Sequence, residues 1–156
     1  MKYIKAIGAK NDGCIFCIKP QQSDDRNNFI IMRGNHCFII LNAFPYSNGH
    51  LLIIPYFHTS ELDALDESVS AELWRYTVLC KNVLKKIYKP DGFNIGMNLG
   101  RAAGAGIEQH LHIHIVPRWN GDTNFMPIMS ETRVLSESLL DTYDALLPHF
   151  KEMAGP

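Results

Sequence analysis

The sequence predicts an α+β domain in which a five-stranded antiparallel sheet is covered by one long helix, with another helix at the C-terminal end. Three observations lead to this fold class. A Gly34-Asn35 turn separates two apolar runs, which is a strong hairpin signal. Apolar residues recur at spacings of three and four across residues 69–87, as on one face of a helix. Three histidines alternate with aliphatic residues in segment 110–116, as on a strand.

The predicted strands are short and are bounded by turn residues. The first two flank the Gly34-Asn35 turn, Pro55 stops the third strand, and Pro117 stops the fifth. Short connections of this kind favour antiparallel neighbours. The predicted strands cover residues 29–32, 37–41, 51–54, 93–98 and 110–116.

Two helices complete the prediction. Asp66 or Ser68 can cap a long helix that runs to about Tyr88, where Lys89-Pro90 ends it. A last helix is predicted over residues 136–147. Because no repeat, low-complexity tract or linker divides the chain, we expect residues 1–156 to form a single domain.

Composition narrows the functional classes. A formal net charge of −1 provides no basic field for nucleic acid, and no apolar stretch has the length of a membrane span or signal peptide. We therefore expect a cytoplasmic protein without nucleic-acid or membrane partners. In a reducing compartment disulfides are disfavoured, and Cys37 and Cys80 are interpreted as buried thiols.

The alternating segment is the feature richest in chemistry. On a strand its three imidazoles, from His110, His112 and His114, share one face, while the aliphatic side chains between them share the other. Histidine titrates near neutrality and can act as nucleophile, proton shuttle or metal ligand. Neighbouring imidazoles on one strand face lie about 6.5–7 Å apart along the chain. That spacing favours adjacent but distinct roles over three ligands of one ion.

A loop of small residues precedes this row. In residues 100–106, glycines and alanines allow backbone N–H groups to approach a ligand closely, and such nests bind phosphate. Beside a histidine nucleophile, the loop suggests attack on an α-phosphorus. Fixed N–H dipoles would stabilise the phosphoryl charge while a nucleotidyl-histidine forms.

These motifs resemble the histidine-triad superfamily of nucleotide hydrolases and transferases. The resemblance covers residues 14–125 and includes Asn42, Gly49-His50, the histidine row and Pro117-Arg118. Segment 116–125 is similar to the diadenosine-tetraphosphate phosphorylase-like branch. The resemblance implies an enzyme that cleaves dinucleoside polyphosphates through a covalent nucleotidyl-histidine, with water or phosphate as acceptor. Alternatives are a hydrolase of nucleoside phosphoramidates or adenylylated small molecules, and a non-catalytic nucleotide-binding module.

The resemblance also implies roles for individual residues. His112 would be the nucleophile, His114 would contact the α-phosphate and help set the tautomer of His112, and His50 would hydrogen-bond within the triad network. The implied nucleotide-binding residues are Asn42 at the ribose, Ile15 and Phe16 at the base, and Asn98, Gly104, Ala105 and Gly106 at the phosphates. The alternatives are plain core for Ile15 and Phe16, and strand-end capping for the two asparagines.

The pair Cys14 and Cys17 supplies half of a tetrahedral zinc site. By resemblance to zinc-bearing relatives, His58 and His110 complete it. Four protein ligands would make this zinc structural, and it would hold the N-terminal segment against the catalytic strand. The alternative is a pair of unliganded thiols beside a surface His58.

Two further expectations come from the family. Several members carry a hydroxyl or amide side chain just before the first histidine that assists the leaving group, whereas this chain reads Gly106-Ile107-Glu108-Gln109. Strand alternation points Gln109 away from the nucleophile. Family members also pair about a two-fold axis, so we expect a homodimer in which the helix over residues 66–88, carrying Trp74, can lie at the interface.

Overall fold

The computed structural model describes residues 13–122 and 137–154. Five strands form one antiparallel sheet in the order β1-β2-β3-β5-β4, and helices pack against it. The strands are β1 (Ile30–Arg33), β2 (Cys37–Leu41), β3 (Leu51–Pro55), β4 (Gly92–Gly96) and β5 (Ile113–Arg118). The helices are α1 (Ile15–Ile18), α2 (Asp25–Asn28), α3 (Glu67–Tyr88) and α4 (Leu139–Ala154). The predicted fold class is confirmed.

Both faces of the central strands are apolar. One face packs against α3 and α4, and its members alternate along β2, β3 and β5; they include Ile39, Leu41, Leu51, Ile53, Ile113 and Ile115. The opposite face of β2 and β3 carries a smaller cluster to which α1 contributes Phe16. Each fully buried aliphatic side chain contributes about 1.5–3 kcal/mol. The histidine row therefore leads into β5, whose other face is buried in the main core.

The predicted hairpin between β1 and β2 is present, and α3 holds its turn. The buried carboxylate of Glu72 accepts hydrogen bonds from the amides of Asn35 at 3.1 Å and Cys37 at 2.9 Å. Gly34 is required there, because a Cβ atom would lie 2.0 Å from the Tyr76 hydroxyl oxygen. The hairpin and the helix are consequently locked together.

The long helix α3 matches its prediction closely. Asp66 stands at its N-cap position, and Lys89 ends it in a left-handed conformation with φ of 46°. Its buried residues recur at helical spacing and include Cys80, which, like Cys37 on β2, is fully buried. In the part of the chain that the structure describes, no helix combines the length and the apolarity that crossing a bilayer requires.

The histidine strand differs from its prediction at both ends. It begins at Ile113, because the amide of Leu111 donates to the carbonyl of Thr59 at 2.8 Å instead of joining the sheet. It continues through Pro117 to Arg118, because β4 pairs with it that far, whereas β3 pairs with it only as far as Ile115. Pro117 faces β3 beyond that ladder, where no amide donor is needed.

Other boundaries also shift. Strand β1 starts one residue late, because Phe29 adopts a left-handed conformation that ends α2. Strand β4 covers residues 92–96 rather than 93–98, since its ladder stops at Gly96. The last helix does not end at residue 147: it runs through Pro148, and burial of Phe150 in the core offsets the lost hydrogen bond. Its predicted start, residue 136, lies outside the described residues.

Candidate active site and metal-ligand cluster

Two neighbouring strands bring the candidate reactive groups together. His114 lies on β5 opposite Leu52 of β3, with His112 just before the strand and His50 just before β3. Ile113 and Ile115 fill the main core, so the alternating histidines necessarily project to the other side of the sheet. The ring centroids of His112 and His114 are 4.8 Å apart.

A backbone carbonyl defines the protonation of His112. Its Nδ1 lies 2.8 Å from the carbonyl oxygen of His110, which can only accept a hydrogen bond. Nδ1 therefore carries the proton in the neutral ring, and Nε2 has a free lone pair. Burial lowers the pKa of His112 below its ordinary value, which keeps the ring neutral. The arrangement is that of an available nitrogen nucleophile.

A second hydrogen-bond chain defines the tautomer of His114. The amide of Tyr46 donates to Nδ1 of the fully buried His50 at 3.0 Å, so His50 carries its proton on Nε2. That Nε2–H donates to Nδ1 of His114 at 2.9 Å, which places the proton of His114 on its own Nε2. Burial, followed by repulsion from His112, lowers the pKa of His114 to about 4. A neutral His114 thus presents an N–H donor.

A separate cluster of two thiols and two imidazoles lies at the other end of the row. Its four ligand-type atoms, from Cys14, Cys17, His58 and His110, all lie within 4.8 Å of one another. Three of the four sulfur–nitrogen separations are 3.3–3.5 Å, and the two Nδ1 atoms are 3.2 Å apart. Tetrahedral zinc with bonds of about 2.0 Å to nitrogen and 2.3 Å to sulfur requires edges of about 3.3–3.8 Å. The donor set therefore fits a tetrahedral metal ion.

The surroundings of the cluster support the same interpretation. Nε2–H of His110 donates to the carbonyl of Pro55 at 2.8 Å, which turns the lone pair of Nδ1 toward the thiols. Burial lowers the pKa of His110 to about 4. Burial, followed by the neighbouring Cys14, raises the pKa of the Cys17 thiol to about 12. A cation at the centre would reverse that rise, because coordinated thiols are deprotonated.

The residues predicted to bind the nucleotide are spread around the row. Phe16 is a core residue, yet its ring lies against His112 with centroids 5.1 Å apart. Ile15 beside it is 47% exposed. Asn42 accepts a hydrogen bond from the amide of Phe44 at 3.0 Å, which is the predicted strand-end alternative, and its Nδ2 lies 3.4 Å from Nδ1 of His50. Base and ribose binding stay predictions.

The loop before the row forms a short 3₁₀ turn, Arg101–Ala103. The amide of Gly104 donates to the carbonyl of Arg101 at 3.0 Å and is committed within that turn. Phosphate binding by Asn98, Ala105 and Gly106 stays a prediction. Glu108 and Gln109 are exposed and line an open cleft of about 680 Å³ together with Leu99 and Gly100. Residues 123–125 of the family resemblance lie outside the described part of the chain.

Sequence reasoning missed Tyr46, which contacts two imidazoles of the site. One signal could have found it. The loop between Asn42 and His50 is a turn segment rich in Pro, Ser, Asn and Gly, yet it contains two aromatic residues, Phe44 and Tyr46. An aromatic residue in such a loop has no core to fill. The Tyr46 ring packs on two imidazoles of the site, whereas Phe44 is 85% exposed.

Together the fold and the site define an α+β domain whose sheet carries neutral, tautomer-fixed imidazoles beside a thiol–imidazole cluster. Residues 23–121 match the family model of the HIT domain, and the chain belongs to that family.

Individual relatives agree with this assignment. The chain is 43% identical over 123 residues to a Mycobacterium tuberculosis protein named AP-4-A phosphorylase, covering 79% of this chain and 63% of that protein. It is 42% identical over 121 residues to adenylylsulfatase HINT3 of Arabidopsis thaliana, covering 76% of this chain and 58% of the relative. The chain thus spans about three-fifths of the length of both relatives. A Zn-bound histidine triad family protein from Mycobacterium smegmatis shares the fold, with a TM-score of 0.72, 24% identity and coverage of 92% and 96% of the two chains.

Proposed function

We propose that this chain is an enzyme that transfers a nucleoside monophosphoryl group from a dinucleoside polyphosphate, such as diadenosine tetraphosphate. The observation that carries the proposal is the hydrogen bond from Nδ1–H of His112 to the carbonyl of His110, which frees Nε2 of a neutral ring. The 43% identity to a protein named AP-4-A phosphorylase supports the choice of substrate. A binding module would have no need of a nucleophile held in one tautomer.

The proposed reaction has two displacements. Nε2 of His112 attacks the α-phosphorus, a P–N bond forms, and the bond to the bridging oxygen breaks to release the remaining nucleotide. Nε2–H of His114 donates to a phosphoryl oxygen and stabilises its developing charge. An oxygen of water or inorganic phosphate then attacks the phosphorus and breaks the P–N bond, which frees His112. With phosphate as acceptor, diadenosine tetraphosphate yields ATP and ADP; with water, ATP and AMP.

Product analysis tests this proposal directly. The purified protein is incubated with diadenosine tetraphosphate in the presence and absence of inorganic phosphate, and the nucleotides are separated by chromatography. ADP and ATP formed only with phosphate indicate phosphorolysis, whereas AMP formed without phosphate indicates hydrolysis. Binding of the substrate without any turnover would instead favour the non-catalytic nucleotide-binding module and overturn the enzymatic proposal.

A second candidate substrate class uses the same residues. The 42% identity to an adenylylsulfatase favours adenylylated small molecules, and nucleoside phosphoramidates require the same attack on an α-phosphorus. Only the leaving group differs. Parallel assays with adenylyl sulfate and adenosine phosphoramidate, compared by kcat/KM, rank these substrates against diadenosine tetraphosphate.

The thiol–imidazole cluster is proposed to hold a structural zinc ion. Cys14, Cys17, His58 and His110 would supply all four ligands, so no position is left for substrate. A bound ion would cross-link the N-terminal segment to the histidine row and would keep both thiols deprotonated. The reacting atoms belong to other residues.

A homodimer is the proposed assembly. Within the described residues β4 is an edge strand, and its Ile95 is exposed, as are Trp74 and Val78 one turn apart on α3. An open strand edge and exposed apolar side chains each favour pairing with a second copy. In sedimentation experiments we expect a dimer for the natural chain and a monomer for Trp74→Glu. A monomeric natural chain at micromolar concentration contradicts the assembly.

A further inference from the structure

Tyr46 contacts the candidate site through both its backbone and its side chain. Its amide donates to Nδ1 of His50, as described above. Its ring centroid lies 4.9 Å from that of His50 at an interplanar angle of 39°. It lies 6.3 Å from that of His114 at an angle of only 11°, which is a stacked arrangement. One residue therefore adjoins both partners of the His50–His114 hydrogen bond.

The loop that carries Tyr46 is fastened to the sheet on both sides. The hydroxyl of Ser47 donates to the carbonyl of Pro117 on β5 at 2.8 Å. The amide of Phe44 donates to the side chain of Asn42, at the end of β2. The loop that carries Tyr46 is therefore held by β5, the strand of His114, and by the end of β2.

The ring lies at the boundary between solvent and the buried hydrogen bond. Tyr46 is 51% exposed, whereas His50 is fully buried and His114 is only partly accessible. Water that reached the bond between His50 and His114 would compete for both nitrogens. Excluding water strengthens a hydrogen bond and narrows the orientations of its partners. A flat aromatic ring stacked on His114 is suited to that exclusion.

We propose that Tyr46 is a positioning residue whose ring shields the His50–His114 hydrogen bond from water and thereby holds His114 in the tautomer with Nε2–H facing substrate. The role for Nε2–H rests on the proposed function; the shielding of the hydrogen bond does not. The phenolic hydroxyl has no part in the shielding, so a phenylalanine should serve equally well.

The test compares Tyr46→Ala with Tyr46→Phe and uses two independent measurements. Nitrogen NMR of histidine-labelled protein reports the tautomers of His50 and His114 without any substrate. Steady-state kinetics with diadenosine tetraphosphate report kcat and KM separately. For Tyr46→Ala we expect mixed tautomer signals from His114 and a fall in kcat of about tenfold, the size of one hydrogen bond, with KM changed less than twofold. Tyr46→Phe should match the natural protein in both measurements.

Two further variants control for loop damage. Phe44→Ala removes the neighbouring aromatic ring, which is 85% exposed, and should leave spectrum and kcat unchanged. Tyr46→Leu keeps apolar bulk but cannot stack flat, so it should reproduce the tautomer mixture if Tyr46→Ala fails to fold. An unchanged His114 signal in Tyr46→Ala or Tyr46→Leu overturns the proposal, as does a Tyr46→Phe protein impaired as strongly as Tyr46→Ala. If the natural protein turns over no nucleotide, the proposed function fails while the spectroscopic measurement still decides the shielding.

Discussion

The two ends of the histidine row contrast His110 with His114. Burial lowers the pKa of both imidazoles to about 4, so both rings are neutral at physiological pH. They differ in which ring nitrogen takes part in a hydrogen bond with the protein. His110 donates from Nε2 to the carbonyl of Pro55 and turns Nδ1 toward two thiols. His114 accepts at Nδ1 from His50 and keeps its proton on Nε2.

This difference shows that the hydrogen-bond partner of each histidine, and not its place in the repeating pattern, determines which of its ring nitrogens is available. A carbonyl oxygen at Nε2 leaves Nδ1 of His110 available to a metal ion, and an N–H donor at Nδ1 leaves His114 with an N–H available to substrate. Between them, His112 uses the backbone carbonyl of His110 to free its Nε2. The partners, rather than the alternation itself, separate the proposed metal-ligating end from the proposed reactive end.

The largest expected effect comes from replacing the nucleophile. Asparagine at residue 112 can still donate from its amide to the carbonyl of His110, but it lacks the Nε2 lone pair. For His112→Asn we expect the turnover of diadenosine tetraphosphate to fall by at least about a thousandfold. The measurement is the initial rate of nucleotide formation under saturating substrate.

The His112→Asn variant also tests whether the two ends of the row act independently. Metal content per chain and thermal stability should match the natural protein, with Tm within about 2 °C, because no donor of the cluster is altered. His110→Asn is the matched variant at the other end and should lose metal. Full activity in His112→Asn would refute the assignment of the nucleophile.

The sequence predicts the parts of this arrangement that depend on local pattern. Alternation alone places His112 and His114 on one face, and apolar spacing with the cap and stop residues predicts α3 to within two residues. It could not predict that β5 starts at Ile113, because the competing hydrogen bond of Leu111 goes to Thr59, 52 residues away. The tautomers also depend on partners distant in sequence, such as Pro55 for His110.

The role of Tyr46 escaped prediction for a related reason. Its amide and its ring act on His50 and His114, and only the pairing of β3 with β5 brings those two histidines together. Similarly, the predicted last helix stops at residue 147, whereas α4 continues through Pro148, which removes one helical hydrogen bond. The burial of Phe150, which offsets that effect, is a tertiary contact that no local pattern contains.

Loss of the metal ion should have the next largest effect. Substitution of His58 is the most direct way to test it. His58 contributes to the cluster but has no part in the hydrogen bonds described above for His112 and His114. His58→Ala removes one of four ligands, so we expect zinc well below one ion per chain. A ligand present at a thousandfold excess over its Kd stabilises the native state by about 4 kcal/mol. Its loss should lower Tm by about 10 °C in calorimetry.

His58→Cys provides the matched control for that experiment. A third cysteine recreates a tetrahedral donor set with one histidine, which is a common structural zinc site. This variant should retain one zinc per chain and most of the stability. If His58→Ala keeps both its metal and its Tm, the cluster is a pair of unliganded thiols, and the contrast between the two ends disappears.

The smallest expected effect is on the pH dependence of activity. This measurement concerns the end of the row that carries His114. The pKa of His114 lies at about 4, below the ordinary value of 6.5, because burial disfavours its charged form. Acidification from pH 6.5 to 5 therefore leaves the ring neutral and able to accept from His50. Below about pH 4, protonation of Nδ1 breaks that bond. We expect the nitrogen NMR signals of His114 to stay those of a neutral ring to about pH 5 and kcat/KM to fall when His114 is protonated at lower pH. Zinc content measured at each pH distinguishes this fall from metal release, because protons also compete for the thiols and imidazoles of the cluster. An NMR titration of His114 centred near pH 6.5 at constant zinc content would show that His114 titrates as an ordinary surface histidine, and that the two ends of the row are not both held neutral by burial.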